Sequence, residues 1–379
     1  MKGKTFLILL VAAGILVAFS LLRLGGGKRS GEMQMGDKLF ADLPVNAVAG
    51  ITIADSENKV TLVKGDAVWQ VQERGGYPAV FDEIRDVVVK LSRLKIGRSF
   101  SASPESLARL ALMAPSAADA SASGKQITLK DPSGEILADI ILGQRRETDS
   151  GEDGGQYLKM AEADTVFLVD GNFQFLKTAP AQWLEKEILD IKADDLASVT
   201  CYAGDSGTPV YTLARSGKGE AVEMTPVPAG RTADPAKIDQ VLDALAPLSI
   251  DDVQVADESP PMRGPDQPRL VYQLFDGRRI SIFPAFDGKD SYTLRVSAEA
   301  SMTQAEVADS SEPAVPAGKT GEGEVAEPDT DAPAPKTARQ LNEELSPWVF
   351  LVKKWQFDSL ITQPALLLEE LKAEGDKTS

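Results

Sequence analysis

The sequence predicts an α+β protein: an N-terminal transmembrane helix, then two tandem strand-rich repeats. Each repeat is expected to be an antiparallel sheet with one amphipathic helix packed on it and a closing Trp-bearing helix. Three observations predict this. Thr5 to Leu22 is an unbroken apolar run. The chain beyond it alternates apolar and polar residues in short segments bounded by turn residues. A helical apolar stripe then recurs 154 residues after its first appearance.

The apolar run lies between Lys2 and Lys4 on one side and Arg23, Lys28 and Arg29 on the other. Eighteen residues at the helical rise span about 27 Å, close to the roughly 30 Å hydrocarbon core of a bilayer. A cleavable signal peptide is the competing reading. Its apolar region is shorter and ends in a small-x-small site, whereas this run ends Ser20-Leu21-Leu22-Arg23. The expectation is therefore a retained anchor over 5–24, a cytoplasmic tail over 1–4 and the bulk of the chain extracytoplasmic. The basic residues are nearly balanced across the run, so orientation rests on the shortness of the tail and the acidity of the body.

Composition excludes several functions. Forty basic and 57 acidic residues leave a net charge of −17, which argues against nucleic acid as a partner. The single cysteine, Cys201, cannot build an internal disulfide framework. Histidine is absent. That removes the commonest general base, the commonest zinc ligand and the middle member of a Ser-His-Asp triad.

Residues 25–43, rich in Gly and polar side chains, read as a flexible stalk. The first repeat, 44–192, opens with strands at Val48–Ile53, Val60–Val63 and Trp69–Val71, with Trp69 facing the core. Phe81, Ile84, Val88, Leu91 and Leu94 then recur at steps of three and four, a helix with acids at its start and bases at its end. Strands follow at Gln126–Leu129, Ile136–Leu142, Gln156–Lys159 and Thr165–Val169, the first two joined by an Asp131-Pro-Ser-Gly134 turn. A helix around Pro180–Leu184 closes the unit.

The second repeat, 193–301 plus 341–372, restates this order. Ile84, Val87, Val88, Leu91, Leu94 and Ile96 pair with Ile238, Val241, Leu242, Leu245, Leu248 and Ile250 at the one offset. Strands Leu196–Cys201, Val210–Leu213, Leu270–Leu274, Arg279–Ile282 and Tyr292–Val296 take their places around that helix. Residues 302–340, with eight acids, three bases and few large apolar residues, read as a disordered insertion. Trp348, Leu351, Val352, Trp355 and Leu360 then form a stripe read as the counterpart of the Trp183 helix, and 373–379 is a tail.

No motif carries catalytic chemistry, and neither catalytic, cofactor-binding nor metal-binding residues are assigned. Gly204-Asp-Ser-Gly207 resembles a serine-protease nucleophile segment, but with no histidine it reads as a hairpin turn. Gly25-Gly-Gly-Lys-Arg29 lacks the Ser or Thr of a phosphate loop. Asp149, Gly151, Asp153 and Gly154 begin a calcium-loop pattern that fails at Met160, where a bidentate Glu is needed. The pairs Asp194-Asp195 and Asp251-Asp252 stand at element boundaries, where Asp favours caps and turns. The four tryptophans fall on periodic apolar positions and read as core. Trp355 and Phe357, beside Lys353 and Lys354, fit a core least well and are the candidate partner contact.

In order along the chain stand VAGITIADSENKVTLVK with Trp69, then Gly76-Tyr-Pro-Ala79, KLSRLKI, the ITLKDPSGEILADIILG hairpin, QYLKM and TVFLVDG. In these motifs and their order the chain resembles domain-of-unknown-function family 4340. Where the family reads Gly-Leu-Asp-x-Pro, this chain has Leu110-Ala-Leu-Met-Ala-Pro115, and the acidic insertion is also a departure. The resemblance implies a bacterial single-pass inner-membrane protein, often associated with gliding-motility-type ABC transporter components. The expected function is non-enzymatic binding or scaffolding of ABC transporter subunits or other envelope proteins. The alternative is an envelope glycan-binding protein or a carboxylate-dependent hydrolase, with acids converging between the repeats.

Overall fold

A computed structural model describes residues 34–146, 154–204, 207–256, 267–300 and 335–370. The expected anchor, Thr5–Leu22, lies outside them, as do most of the expected insertion and the 373–379 tail. Among the described residues no helix is long and apolar enough to cross a membrane. The chain divides into two compact units: residues up to 67 with 81–179, and residues 68–80 with those from 180 onward. The expected boundary at 192/193 therefore falls inside the second unit, and the Trp69 segment is exchanged into that unit. Sequence alternation records which residues are buried, not which unit buries them.

In the first unit, strands β1 (Gly50–Ala54) and β2 (Lys59–Lys64) form a hairpin. The segment that follows carries β3 (Trp69–Val71) and β4 (Tyr77–Pro78), which belong to the second unit. Helix α1 (Phe81–Arg93) buries Ile84, Val88 and Leu91, each contributing about 1.5–3 kcal/mol, while Phe81 at its first turn is exposed. Strand β5 (Ile96–Ser101) and the short helix α2 (Pro104–Arg109) precede β6 (Lys125–Lys130), β7 (Ile136–Arg145), β8 (Gln156–Met160) and β9 (Thr165–Val169). Within this unit the strands lie in the order β2-β1-β6-β7-β8-β9-β5, and every neighbouring pair is antiparallel. The β6–β7 turn forms as expected. Asp131 Oδ1 accepts from the amides of Ser133 and Glu135 at 2.8 and 2.9 Å, and Gly134 takes φ +86°.

Residues 34–43, expected as stalk, are part of the fold. Leu39 is buried, its amide donates to Leu94 O at 2.9 Å, and Lys38 bridges to Lys95. Trp183 is buried as expected, but Pro180–Trp183 is a single 3-10 turn rather than a full helix.

In the second unit, β10 (Glu187–Leu189), β11 (Leu196–Ala203), β12 (Pro209–Ala214), β13 (Glu223–Thr225) and β14 (Arg231–Ala233) lead into helix α3 (Pro235–Leu242). Asp234 caps α3, accepting from Ala236 N at 3.0 Å, with Pro235 at its first position. Helical structure ends in a 3-10 turn at Leu245, so Leu248 and Ile250, the last two positions of the expected helical stripe, fall outside it. Leu248 instead begins β15 (Leu248–Ser249), which precedes β16 (Asp252–Val255), β17 (Pro268–Leu274), β18 (Arg278–Phe286) and β19 (Tyr292–Ala300). Helix α4 (Ala338–Leu345) carries a capping box between Thr337 and Gln340, so residues 338–340, expected in the insertion, are helical.

The helix expected along the stripe from Trp348 to Leu360 is corrected. Trp348–Val352 is a strand, β20, followed by a short helix, α5 (Lys354–Ser359), and the chain runs on to β21 (Leu368–Glu370). β20 adds to β19 through Tyr292↔Val352, Thr293↔Leu351 and Leu294↔Phe350. Pairing with β19 and β16 satisfies its backbone on both sides and also the facing groups of those two strands, which a helix there would leave unpaired.

The sheet of this unit runs β13-β12-β11-β17-β18-β19-β20-β16. With β13 set aside, the order repeats that of the first unit strand for strand, down to the post-helix strand (β5, β16) at the same edge. Five of the six apolar pairs at offset 154 are buried in both copies; Val87, half-buried opposite the fully buried Val241, is the exception. The sheets are strand-rich, antiparallel and duplicated in topology. The insertion falls between β19 and β20, where the first unit has the short β8–β9 turn.

Candidate interaction surface

The candidate surface is built at one end of the second sheet. β18 and β19 form a hairpin whose last facing pair is Phe286↔Tyr292. Its loop is held by Asp287, whose Oδ1 accepts from the amides of Lys289 (2.9 Å) and Ser291 (3.1 Å), with Gly288 at φ +81°. Those backbone donors hold the Asp287 carboxyl below its ordinary pKa. The two rings flanking the loop stack at 4.8 Å with planes 15° apart.

Helix α5 completes the surface. Its inward side is polar: Gln356 is buried, donates from Nε2 to Ser249 O at 2.6 Å and accepts from the Lys353 amide. Ser359 Oγ donates to Gln356 O at 2.7 Å. With Gln356 and Ser359 turned inward, the aromatic residues of the helix face outward. The Phe357 ring lies 5.1 Å from Tyr292, and Lys354 Nζ is 5.8 Å from the Tyr292 ring centre while pairing with Asp358 at 2.6 Å. Trp355 is 64 % exposed and Phe286 47 %; Tyr292 and Phe357 are half-buried.

Of the candidate contact residues, Phe357 thus joins the aromatic cluster and Trp355 projects from the same helix into solvent. Phe286 and Tyr292 escaped the sequence reading. Their signal was available: two aromatics bracketing a five-residue Asp-Gly-containing loop must face one another when the hairpin closes.

The aspartate pairs are engaged by cations. Asp194 and Asp195 occupy a 3-10 turn before β11, with Arg215 3.6 Å from the first and Lys218 2.7 Å from the second. Asp251 lies 3.8 Å from Lys353. Asp252 receives Nε and Nη2 of Arg74 at 2.5 and 2.8 Å. Burial pushes the Asp252 carboxyl upward, but hydrogen bonds from Arg74 and the Val253 amide outweigh it, leaving the pKa lowered. A general acid for glycoside chemistry needs the opposite shift.

Gly204 and Gly207 flank the β11–β12 hairpin connection; Asp205 and Ser206 between them lie outside the described residues, as do Gly25–Arg29 and Asp149–Asp153. Among the described residues no group of three or more Cys, Asp or Glu side chains could hold a metal ion.

These features define a class: a duplicated antiparallel α+β protein with an exposed aromatic surface on its second unit. Within that class the chain belongs to the family described as Domain of unknown function (DUF4340), whose model matches residues 69–268, just over half of the chain. The match runs from Trp69 in β3 to Pro268 at the start of β17. No curated protein and no solved structure matches the chain.

Proposed function

We propose that this chain is a non-enzymatic binding or scaffold protein. Thr5–Leu22 anchors it in the bacterial inner membrane, and its paired units act outside the cytoplasm as an accessory to an ABC-type, gliding-motility-like transport system. The observation that carries the binding role is the cluster Phe286, Tyr292 and Phe357 with Trp355 beside it. A helix that buries Gln and Ser while presenting Trp to water gains nothing from that arrangement in isolation. Exposed aromatics rimmed by mixed charge have the composition of a protein-binding hot spot. The engagement of Asp194, Asp195, Asp251 and Asp252 by cations supports a non-catalytic reading over a carboxylate hydrolase.

The test is a photo-cross-linking residue at position 355 in the full chain, activated in native membranes, with the adduct identified by mass spectrometry. A permease or ATPase subunit of an ABC transporter is the expected adduct. An adduct with envelope glycan, or a different envelope protein, would overturn the transporter assignment. Absence of any adduct from position 355 and from position 286 alike would overturn the surface itself.

A further inference from the structure

We propose that the first unit holds a separate binding site for a small organic anion, one carboxylate or phosphate group carried on a flat apolar body. The site lies on one face of the β7-β8-β9-β5 part of the sheet. Tyr157 pairs with Leu168, and Leu168 pairs with Arg98, so the three form one row across β8, β9 and β5. Phe100 is two residues beyond Arg98 and shares its face. The Arg146 amide donates to Gly155 O at 2.9 Å, which sets Arg146 level with Gly155 and therefore on the face that Tyr157 shares.

Part of this face is covered: Leu107 of α2 and Leu112 pack with Ile141 and Val166, and Phe100 and Tyr157 lean on that cluster. Beyond the covered part, Arg98, Phe100, Arg146, Tyr157 and Leu168 line a cavity of about 400 Å³, within the size range of small-molecule sites. Phe100 and Tyr157 meet edge to face at 6.3 Å, giving it a fixed aromatic wall.

The two arginines are what assign the ligand. Several guanidiniums of this acidic chain meet a carboxylate: Arg74 has Asp252, Arg85 has Asp82, Arg278 has Asp276 and Arg339 has Glu343. Among the described residues neither Arg98 nor Arg146 has a side-chain partner. Guanidinium forks match carboxylate and phosphate oxygens two by two, and two of them at one cavity supply the attraction that the net charge of −17 otherwise opposes. The aromatic wall and Leu168 suit an apolar body attached to that oxyanion.

The site is independent of the surface around Trp355, and its test does not involve that surface. Phenyl phosphate, benzoate and inorganic phosphate would each be titrated calorimetrically into the full chain. Saturable binding of phenyl phosphate or benzoate is expected, weakened about tenfold or more by Arg98→Gln and by Arg146→Gln, and clearly tighter than inorganic phosphate. Arg98→Lys keeps the charge and loses the fork, so it should weaken binding without altering thermal stability. Three results would overturn the proposal: no saturable binding up to about 10 mM, binding indifferent to both Arg→Gln changes, or inorganic phosphate binding as tightly as the aromatic anions.

Discussion

Arg74, from the segment between β3 and β4, grips the carboxylate of Asp252 at the start of β16, 178 residues further along the chain, through Nε and Nη2 at 2.5 and 2.8 Å. Both residues lie in the second unit, and the segment carrying Arg74 makes a second contact there, where Tyr77 packs edge to face on Trp348 of β20 at 5.1 Å. The 68–80 segment is thus fastened by a charge-assisted fork and an aromatic contact.

The ion pair carries a pH signature. Because the folded-state pKa of Asp252 is lowered, the pair's contribution is present above the unfolded carboxylate value and is lost as pH falls through the folded one. Asp252→Asn should cost about 1–3 kcal/mol at neutral pH. In urea titrations the gap from the parent should narrow below about pH 4. A gap that stays constant from neutral pH to about pH 3 would mean that charge is not what Arg74 recognises.

Two tryptophans that look alike in the sequence should behave in opposite ways. Trp183 is 1 % exposed, and Trp183→Ala is expected to cost about 3–5 kcal/mol in denaturant unfolding. Trp355→Ala, at a site 64 % exposed, should move stability by no more than about 0.5 kcal/mol. Equal losses at the two positions would show that Trp355 is covered by something in the isolated protein.

Cys201 offers a clean probe of unfolding. It is fully buried on β11, and burial pushes its thiol up to about 11, so at mildly alkaline pH it is shielded and almost wholly protonated. Iodoacetamide should leave the native chain unlabelled at about pH 8 and modify it at the rate of unfolding in urea. Rapid native labelling would place an opening of β11 well below the global unfolding free energy.

What could be read from the sequence was whatever is encoded locally. Ile51 and Ile53, or Val60 and Leu62, alternate because one face of each strand is buried, and period two needs no knowledge of the partner strand. Asp131–Gly134 announces its own turn. The stripe from Trp348 to Leu360 misled because a five-residue strand running into a short helix places apolar residues at spacings that imitate one long helix. Strand Trp348–Val352 exists because β19 and β16 lie on either side of it, and neither is near it in sequence. The same holds for β5 and β16, whose exposed edge residues carry little alternation. It holds for the two functional candidates as well. Phe357, on α5, reaches Tyr292 on β19, and Arg98 and Arg146 come to line one cavity only through the pairing of β5, β9, β8 and β7.

The loop that departs from the family's Gly-Leu-Asp-x-Pro gives the last prediction. Within it Ala111 has φ +51°, the one described non-glycine residue in the left-handed region. The surroundings hold it there. The amides of Ala111 and Leu112 donate to Ala108 O and Leu107 O at 3.1 and 2.9 Å, closing α2, while Leu110 O accepts from Gln144 at 2.9 Å. A Cβ on Gly124 would lie 2.6 Å from Ala111 O, and one on Gly143 2.3 Å from Leu110 O, so the loop backbone is laid directly on β7 and on the residue that leads into β6. The Cβ of an alanine in this conformation costs about 1–2 kcal/mol that glycine avoids. Glycine also gives the unfolded chain more freedom, which returns about 0.4–1 kcal/mol of that gain. Ala111→Gly should therefore stabilise the first unit by about 0.5–1 kcal/mol in urea unfolding. Ala111→Val, a β-branched residue in the same conformation, should destabilise it. A glycine variant less stable than the parent would mean that the loop relaxes out of the left-handed conformation in solution.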